Sequence, residues 1–274
     1  MTTRRRRIAK IGLVVLLVYA GVGYLALPLF WRHYENQPAL ATVPMVTRTG
    51  SGIPGDPLNI GLVGDKEDVV LALHAAGFTP ADPITLKTSA EIVGSVLLDR
   101  PYRAAPVSPL FYEGRREDLA FEMEAGASAR QRHHVRLWEV LPSGVEKRPV
   151  WLGAASFDEG VGVSHYTGQV THSIAPDVDA ERDFLAARLQ GAEMVDTTYQ
   201  ITGVGPTLNG RNGEGSRYYT DGEIHFLVLV SGGRPRTGPP DELSPSAVVI
   251  AKNALWQALK PLLSGFPGAA VTKP

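Results

Sequence analysis

Two histidines and four acids crowd one stretch of this chain: His165 and His172, with Asp158 before them and Asp177, Asp179 and Glu181 after. Imidazoles and carboxylates together can hold a metal ion or move a proton. A turn at Thr167-Gly168 would set His165 opposite Val170 and His172 opposite Val163. Alternation along the strands then puts both histidines on one face as diagonal neighbours, with Cβ atoms roughly 7–8 Å apart. Imidazoles at that spacing can converge on one divalent ion, with nitrogens about 2.0–2.1 Å from it if it is zinc. His165, His172, Asp177 and Asp179 are therefore the candidate metal ligands, and a divalent metal is the cofactor they would take. His165, His172 and Asp158 are the candidate catalytic groups. Hydrolysis is the matching reaction: a bound ion lowers the pKa of water, or a histidine acts as general base with a carboxylate orienting it. The same residues also have a plainer account. Acids in a first helical turn complement the helix dipole, and Pro176-Asp177 is ordinary helix-start chemistry. Arg182 can pair with a flanking acid. Thr167-Gly168 is not the favoured Asn-Gly turn, no HExxH or CxxC pattern is present, and Ser164 lacks the strand-to-helix elbow of a nucleophile.

Three further stretches invite chemistry. In Arg130-Gln131-Arg132-His133-His134-Val135-Arg136-Leu137-Trp138 the two histidines are adjacent on an expected strand and must face opposite ways. His134 shares its face with Arg132, Arg136 and Trp138, a basic and aromatic surface of the kind that meets an anion. The favoured reading is the plainer one, a solvated strand face with arginine stems packed on the tryptophan. Gly61-Leu62-Val63-Gly64-Asp65 precedes a helix but lacks the third glycine and the Gly-Lys-Ser/Thr ending of a phosphate cradle, and Asp65 there is a helix cap. The run from Asn209 to Gly215 reads as a mobile hairpin connection.

The elements that must position these residues follow from periodicity. Leu58–Val63 is a short apolar strand, and Asp65 opens a helix carried by Val69, Val70, Leu73 and Ala76 and closed at Gly77. A second helix is expected over Ser89–Leu98. Beyond it the period shortens: Leu110–Tyr112, Leu119–Met123, Val135–Val140 and Val150–Phe157 are strands of an antiparallel meander, with a turn at Leu141-Pro142-Ser143-Gly144. Asp177–Leu189 is a helix, Glu193–Ile201 and Glu223–Val230 are strands, and Ala247–Leu263 is a helix bent or stopped at Pro261. Grouped strands and segregated helices make an α+β fold, mostly antiparallel sheet with flanking helices, preceded by one transmembrane helix.

That last element rests on the first forty residues. Arg4, Arg5, Arg6, Arg7 and Lys10 precede an uncharged run from Ile11 to Phe30. At 1.5 Å per residue the run reaches about 30 Å, the thickness of the hydrocarbon layer. Leu13 to Val18 are apolar on every side, and Trp31 sits where an interfacial anchor belongs. The run is longer than a signal-peptide core, and the small-x-small triplet Ala39-Leu40-Ala41 lies well beyond it, so the expectation is an uncleaved anchor. Basic flanks stay in the cytoplasm, which places the rest of the chain across the membrane. The expected layout is a basic cytoplasmic N-terminus (1–10), an anchor (11–31), a Pro/Gly linker (32–57), a folded domain (58–266) and a tail (267–274).

Composition narrows the function classes. With 274 residues, 44% hydrophobic and 20% charged, the chain is ordinary globular material. A net charge of −1 gives no long-range field for nucleic acid. The absence of cysteine excludes disulfides, thiol nucleophiles and thiolate metal sites.

The blocks LNIGLVGDKEDVVLALHAAGFTPADPIT, RQRHHVRLWE and WLGAASFDEGVGVSHYTGQVTHSIAPDVDAERDFL resemble the LssY C-terminal domain family, densely over residues 56–199 and more loosely beyond. In that family the domain often follows multi-pass membrane regions, DedA-like or lipid-phosphatase-like; here one spanning helix stands in their place. Phosphatase motifs are absent, so that activity does not transfer, and the resemblance supplies no catalytic residues. Two function classes follow: a cell-envelope module, tethered to the bacterial inner membrane with its domain outside the cytoplasm, that binds an envelope protein, a lipid headgroup or a glycan; or a metal- or His/Asp-dependent hydrolase acting on an envelope substrate. Convergence of His165, His172 and the nearby acids in a pocket would favour the enzyme, and use of each acid in capping would favour the module.

Overall fold

A computed structural model of the chain describes residues 3–29, 40, 42–81, 86–87, 109–125, 131–144, 146–168 and 170–264. The expected helix over Ser89–Leu98 lies outside these residues. The chain divides into two units, Met1–Val43 and Pro44–Pro274.

The first unit is a helix, α1 (Thr3–Gly21), continued through a π-helical segment at Val22–Ala26. The stretch Arg4–Leu29 is long and apolar enough to cross a membrane. Its large side chains from Leu13 to Val18 are all exposed. The basic residues are part of the same helix rather than a separate segment before it.

The second unit is α+β, as the periodicity implies. Its strands are β1 (Val46–Thr49), β2 (Pro54–Pro57), β3 (Ile60–Val63), β4 (Thr79–Pro80), β5 (Leu110–Tyr112), β6 (Arg115–Arg116), β7 (Leu119–Glu124), β8 (Arg132–Leu141), β9 (Val150–Val163), β10 (Val170–Ile174), β11 (Val195–Thr202), β12 (Thr207–Arg211), β13 (Arg217–Thr220), β14 (Glu223–Leu229) and β15 (Asp241–Glu242). Its helices are α2 (Lys66–Ala75), α3 (Val178–Gly191) and α4 (Ala247–Ser264). The main sheet runs β15-β11-β14-β3-β9-β8-β7-β4, with β10 paired to β9. Only the pairs β3–β14 and β11–β15 are parallel among those described. A smaller sheet, β2-β1-β5-β6, and the β12–β13 hairpin complete the fold.

Strands β1 and β2 lie inside the 32–57 stretch read as linker. Prolines and glycines there mark a short edge strand, β2, and the turn that joins it to β1. Helix α2 starts as expected: the backbone N–H of Asp65 donates to Asp68 Oδ2 at 3.2 Å. Asp68 also takes Arg148 at 2.7 Å, which pins the helix start to the sheet.

The sheet has two different faces. On one, Leu62, Phe121, Val135, Leu137 and Leu227 meet Val69 and Leu73 of α2 and Leu185 and Leu189 of α3, forming the main core. The other face carries Arg132, His134, Arg136 and Trp138 from β8. In antiparallel register, paired side chains share a face. Arg132 pairs with Asp158 of β9, and His134 pairs with Ser156 of β9 and Glu122 of β7. At the far end of this face Phe226 occupies the space beside Gly61, where any Cβ would stand 2.6 Å from its ring. Gly61 is therefore set by packing, not by a phosphate. The small sheet covers the β8 part of this face: Tyr112 packs on Trp138 at 6.0 Å and Asp56 Oδ2 lies 3.8 Å from Arg136 Nη1.

Candidate functional site

The structure separates the residues predicted to share a metal. Strand β10 pairs Val170 with Val163 and His172 with Val161, so the hairpin register differs from the expected one by two residues. The cause is local. Ser164 Oγ accepts from the backbone of Tyr166 at 3.3 Å and of Thr167 at 3.2 Å, and Gly168 N–H donates to Ser164 O at 3.0 Å. Ser164 thus folds the connection into a wide loop rather than a two-residue turn. His165 falls in that loop, exposed, with its backbone N–H donating to Glu214 O at 3.0 Å.

The acids go their own ways. Asp177 caps α3, accepting from Ala180 N at 3.2 Å, and pairs with Lys260 at 2.8 Å. Asp179 is buried and accepts from Thr220 Oγ1 at 2.5 Å, Asp221 N at 2.8 Å and Trp256 Nε1 at 3.2 Å. Glu181 turns to His133, whose Nδ1 lies 2.8 Å away, with the His133 ring stacked on Phe184 at 3.9 Å. Burial pushes the Glu181 carboxyl up to about 7 despite its bond to His133. The described residues contain no group of three or more His, Asp or Glu placed to share a metal ion. Asp177→Ala should lower stability by about 1 kcal/mol, the usual cost of a lost cap, with His134 and His172 unmoved in an NMR spectrum of the imidazoles. A loss of His134 and His172 signals in this variant would tie Asp177 to the site described next.

One pair does converge. A bulge in β9 at Glu159 sets Ile174 opposite Asp158, and His172, two residues back along β10, lies on the same side as Ile174. His172 and Asp158 line one cavity with Asp56, Arg136, Ser156 and Asn212, and its volume is about 30 Å³. His134 pairs across the sheet with Ser156 of that lining. The expectation of a solvated basic strand face is corrected here: Arg132, His134, Arg136 and Trp138 are all buried. The small sheet removes them from water, a covering that strand periodicity does not register.

Charges in the cluster are mixed. Arg132 Nη1 bonds Glu122 at 2.7 Å and its Nε lies 4.0 Å from Asp158 Oδ2. Asp56 accepts from Asn212 Nδ2 at 3.0 Å. Burial raises the Asp158 carboxyl to about 6, the two arginines pulling against it and Asp56 and Glu122 adding to it. Burial raises Asp56 as well, against Arg136 and Asn212. It drives His134 well below the usual imidazole range, with Arg136 and Arg132 pushing the same way, and lowers His172 by the same causes. Both imidazoles are therefore neutral at pH 7. Among the described residues, none bonds His134 Nδ1, His134 Nε2, His172 Nδ1 or Asp158 Oδ2, although all four atoms are buried. Buried polar atoms are nearly always paired, so four such atoms in one cluster point to a guest, water or ligand. The volume suits one or two waters or a single small polar group.

Sequence reasoning named His134, Arg136, His172 and Asp158 but set them in two separate places. It missed Asp56, hidden in the presumed linker, and Ser156, which has no signature. Asn212 was placed in a mobile connection, yet it is buried and bonded to Asp56 and to the backbone N–H groups of Glu214 and Ser216. The Asx-turn pattern of Asn-Gly-Glu-Gly is the signal that could have found it.

No curated protein and no solved structure matches the chain. A family model, LssY C-terminus, matches residues 40–224. That span takes in every cavity residue, from Thr49 to Glu214, and ends before α4. With the greater part of its length matched, the chain belongs to the LssY C-terminus family.

Proposed function

We propose that this protein is a membrane-anchored binding module of the cell envelope, and that its ligand places a small polar group in the Asp56–Arg136–Asp158–His172 cavity. The observation that carries the reading is that His172 and Asp158, which line that cavity, each hold a buried, unbonded polar atom, with both ring nitrogens of His134, paired across the sheet with Ser156 of the lining, unbonded as well. Arg4 to Arg7 and Lys10 hold the N-terminal flank in the cytoplasm, so the domain lies outside it, on the far side of the inner membrane.

The chemistry of the cavity favours a neutral group that both donates and accepts. An anion there would face the carboxylates of Asp56, Asp158 and Glu214. A cation, a divalent metal included, would face Arg132 and Arg136. A hydroxyl suits both, donating to Asp158 Oδ2 and accepting from a guanidinium or an imidazole N–H. Glycans and polyol headgroups supply such hydroxyls.

A second reading has its own support: Asp158, raised to about 6 beside a neutral His172, is poised to move a proton near neutral pH. That reading is the His/Asp-dependent hydrolase.

The test uses the full chain in lipid nanodiscs, with glycerol, N-acetylglucosamine disaccharide, glycerol phosphate and inorganic phosphate as probes. A ligand at about ten times its dissociation constant should stabilise the fold by about 1.4 kcal/mol. The shift should appear with a hydroxyl-bearing probe and vanish in His172→Ala. Mass spectrometry of the same mixtures separates the readings: cleavage that is lost in Asp158→Asn makes the protein a hydrolase. No shift with any probe sinks the cavity as the ligand site.

A further inference from the structure

Helix α4 is built inside out for a helix packed on a water-soluble domain. Its inward positions are Val249, Lys252, Asn253, Trp256, Lys260 and Leu263, spaced at i, i+3, i+4, i+7, i+11 and i+14. Three of the six are polar, and each is tied down. Lys252 bonds Glu223 and donates to Asp221 O at 3.2 Å. Asn253 Nδ2 donates to Gln200 Oε1 at 3.0 Å, and Lys260 pairs with Asp177 at 2.8 Å. Trp256 is buried and donates to Asp179. The outward surface is the apolar one: Val248, Leu255, Leu259 and Leu262 form one stripe with exposures of 43%, 62%, 39% and 67%. Four alanines flank it, Ile250 lies beyond them on the far side of the exposed surface, and Gln257 is the single polar side chain on the exposed positions from 247 to 262. A surface helix normally turns its polar side chains to water and its apolar ones to the core. Here both lysines pair with acids of the domain, Lys252 with buried Glu223 and Lys260 with half-buried Asp177, while Leu255, Leu259 and Leu262 face out.

We propose that the outward face of α4 lies in the surface of the bilayer that α1 crosses, as a second membrane contact of the same chain. The inference rests on the membrane-anchored reading above. Residues 30–43, between the apolar helix and the domain, reach at most about 50 Å when extended, so the domain never leaves the neighbourhood of the bilayer. An apolar phase is therefore always at hand. The outward face carries no ionised side chain, and α4 contains no acid at all. A second copy docking there would lack the flanking charge pairs that set register and partner in helix pairing. A bilayer surface requires none. An interfacial helix buries its apolar face to about 5–10 Å while its polar face looks away from the acyl chains. On α4 that polar face is the one bonded to the domain, so docking would leave the existing contacts intact.

The absence of cysteine makes the test clean. Single cysteines are placed at Leu255, Ala258 and Leu262, at Glu67 as an aqueous reference, and at Val14 as a lipid reference. Each full-length protein is nitroxide-labelled in nanodiscs of phosphatidylethanolamine and phosphatidylglycerol. Accessibility to oxygen is then compared with accessibility to a water-soluble nickel chelate. The expected result is an oxygen-to-nickel ratio several-fold above that of Glu67 at all three α4 positions, intermediate between Glu67 and Val14. Ratios equal to that of Glu67 would overturn the proposal, and so would spin–spin broadening between labels on two copies, which would assign the face to a dimer. A nickel-accessible label at Val14 would instead remove the anchored reading, and this inference with it. All three α4 positions are exposed, so the substitutions should leave the thermal midpoint unchanged.

Discussion

Arg182→Met should cost about 3–5 kcal/mol of folding stability, the range expected when one partner of a buried ionic network is removed. Arg182 is 2% exposed. Its guanidinium grips Asp221 with two bonds, at 2.7 and 3.1 Å, donates to Glu223 O at 3.1 Å and lies 3.5 Å from Asp179. Burial pushes the Asp221 carboxyl up, but the Arg182 charge and bonds outweigh it and hold that carboxyl below its ordinary value. Burial leaves Asp179 at about 6 even with Arg182 beside it. Methionine would keep most of the volume and leave both carboxylates without the guanidinium, with only Lys252 near Asp221. Arg182→Lys should retain the charge but not the two-pronged geometry and fall between. Adding Asp221→Asn to the methionine variant should recover part of the loss, because the stranded charge is then gone. Denaturant midpoints of the four proteins decide the matter. A loss below about 1 kcal/mol for Arg182→Met would mean that water reaches the network. The expected damage is broad because this arginine joins the start of α3 to the turn between β13 and β14, against which α4 also packs.

Asp158 should make stability depend on pH in a direction opposite to that of a paired surface carboxylate. Its ordinary value is 3.8 and burial raises it to about 6 in the fold. The folded protein therefore holds this proton where the unfolded chain has released it. The contribution is fully present below about pH 4 and is lost as pH rises through 6, for a total of roughly 3 kcal/mol at 1.36 kcal/mol per unit. The neutral histidines act the other way. With folded values below the ordinary 6.5, His134 and His172 contribute stability that is present above that value and lost as pH falls beneath it. Asp158→Asn isolates the first effect. Its stability relative to the parent should rise by up to about 3 kcal/mol between pH 4 and pH 7. Urea titrations at half-unit intervals would show it. Parallel curves for the two proteins would mean that Asp158 is solvated, and the cavity would then be an open surface. A ligand hydroxyl bonded to Asp158 should flatten the same slope, which links the titration to the binding test.

Local signals were enough for the elements around this site. Asp65 and the spacing of Val69, Val70, Leu73 and Ala76 define α2, because capping and helical period are properties of a few neighbouring residues. Alternation along β8 correctly assigned His133 and His134 to opposite faces. The uncharged run behind Arg4–Arg7 marked a helix able to cross a membrane without reference to anything else in the chain. Dense blocks of sequence pointed to the family whose model matches residues 40–224.

What the neighbours of a face would be was not legible. Asp177, Asp179 and Glu181 are close in sequence and look like one cluster. Helical rotation sends them to Lys260, to Thr220 and Trp256, and to His133. His165 and His172 look paired, but the side chain of Ser164 reshaped the connection and moved the register by two. The polar face of β8 could have met water, and strands hidden in a Pro/Gly stretch covered it instead. Helix α4 has a clear amphipathic period, yet nothing in that period says which side meets the domain. By itself the sequence determined α2, α3 and most strands of the main sheet, a helix able to cross a membrane, and the side-chain alternation, since each depends on residues a few positions apart. The tertiary structure alone decided which side chains are buried together, because that depends on contacts between residues as distant as Asp56 and Asn212, 156 positions apart.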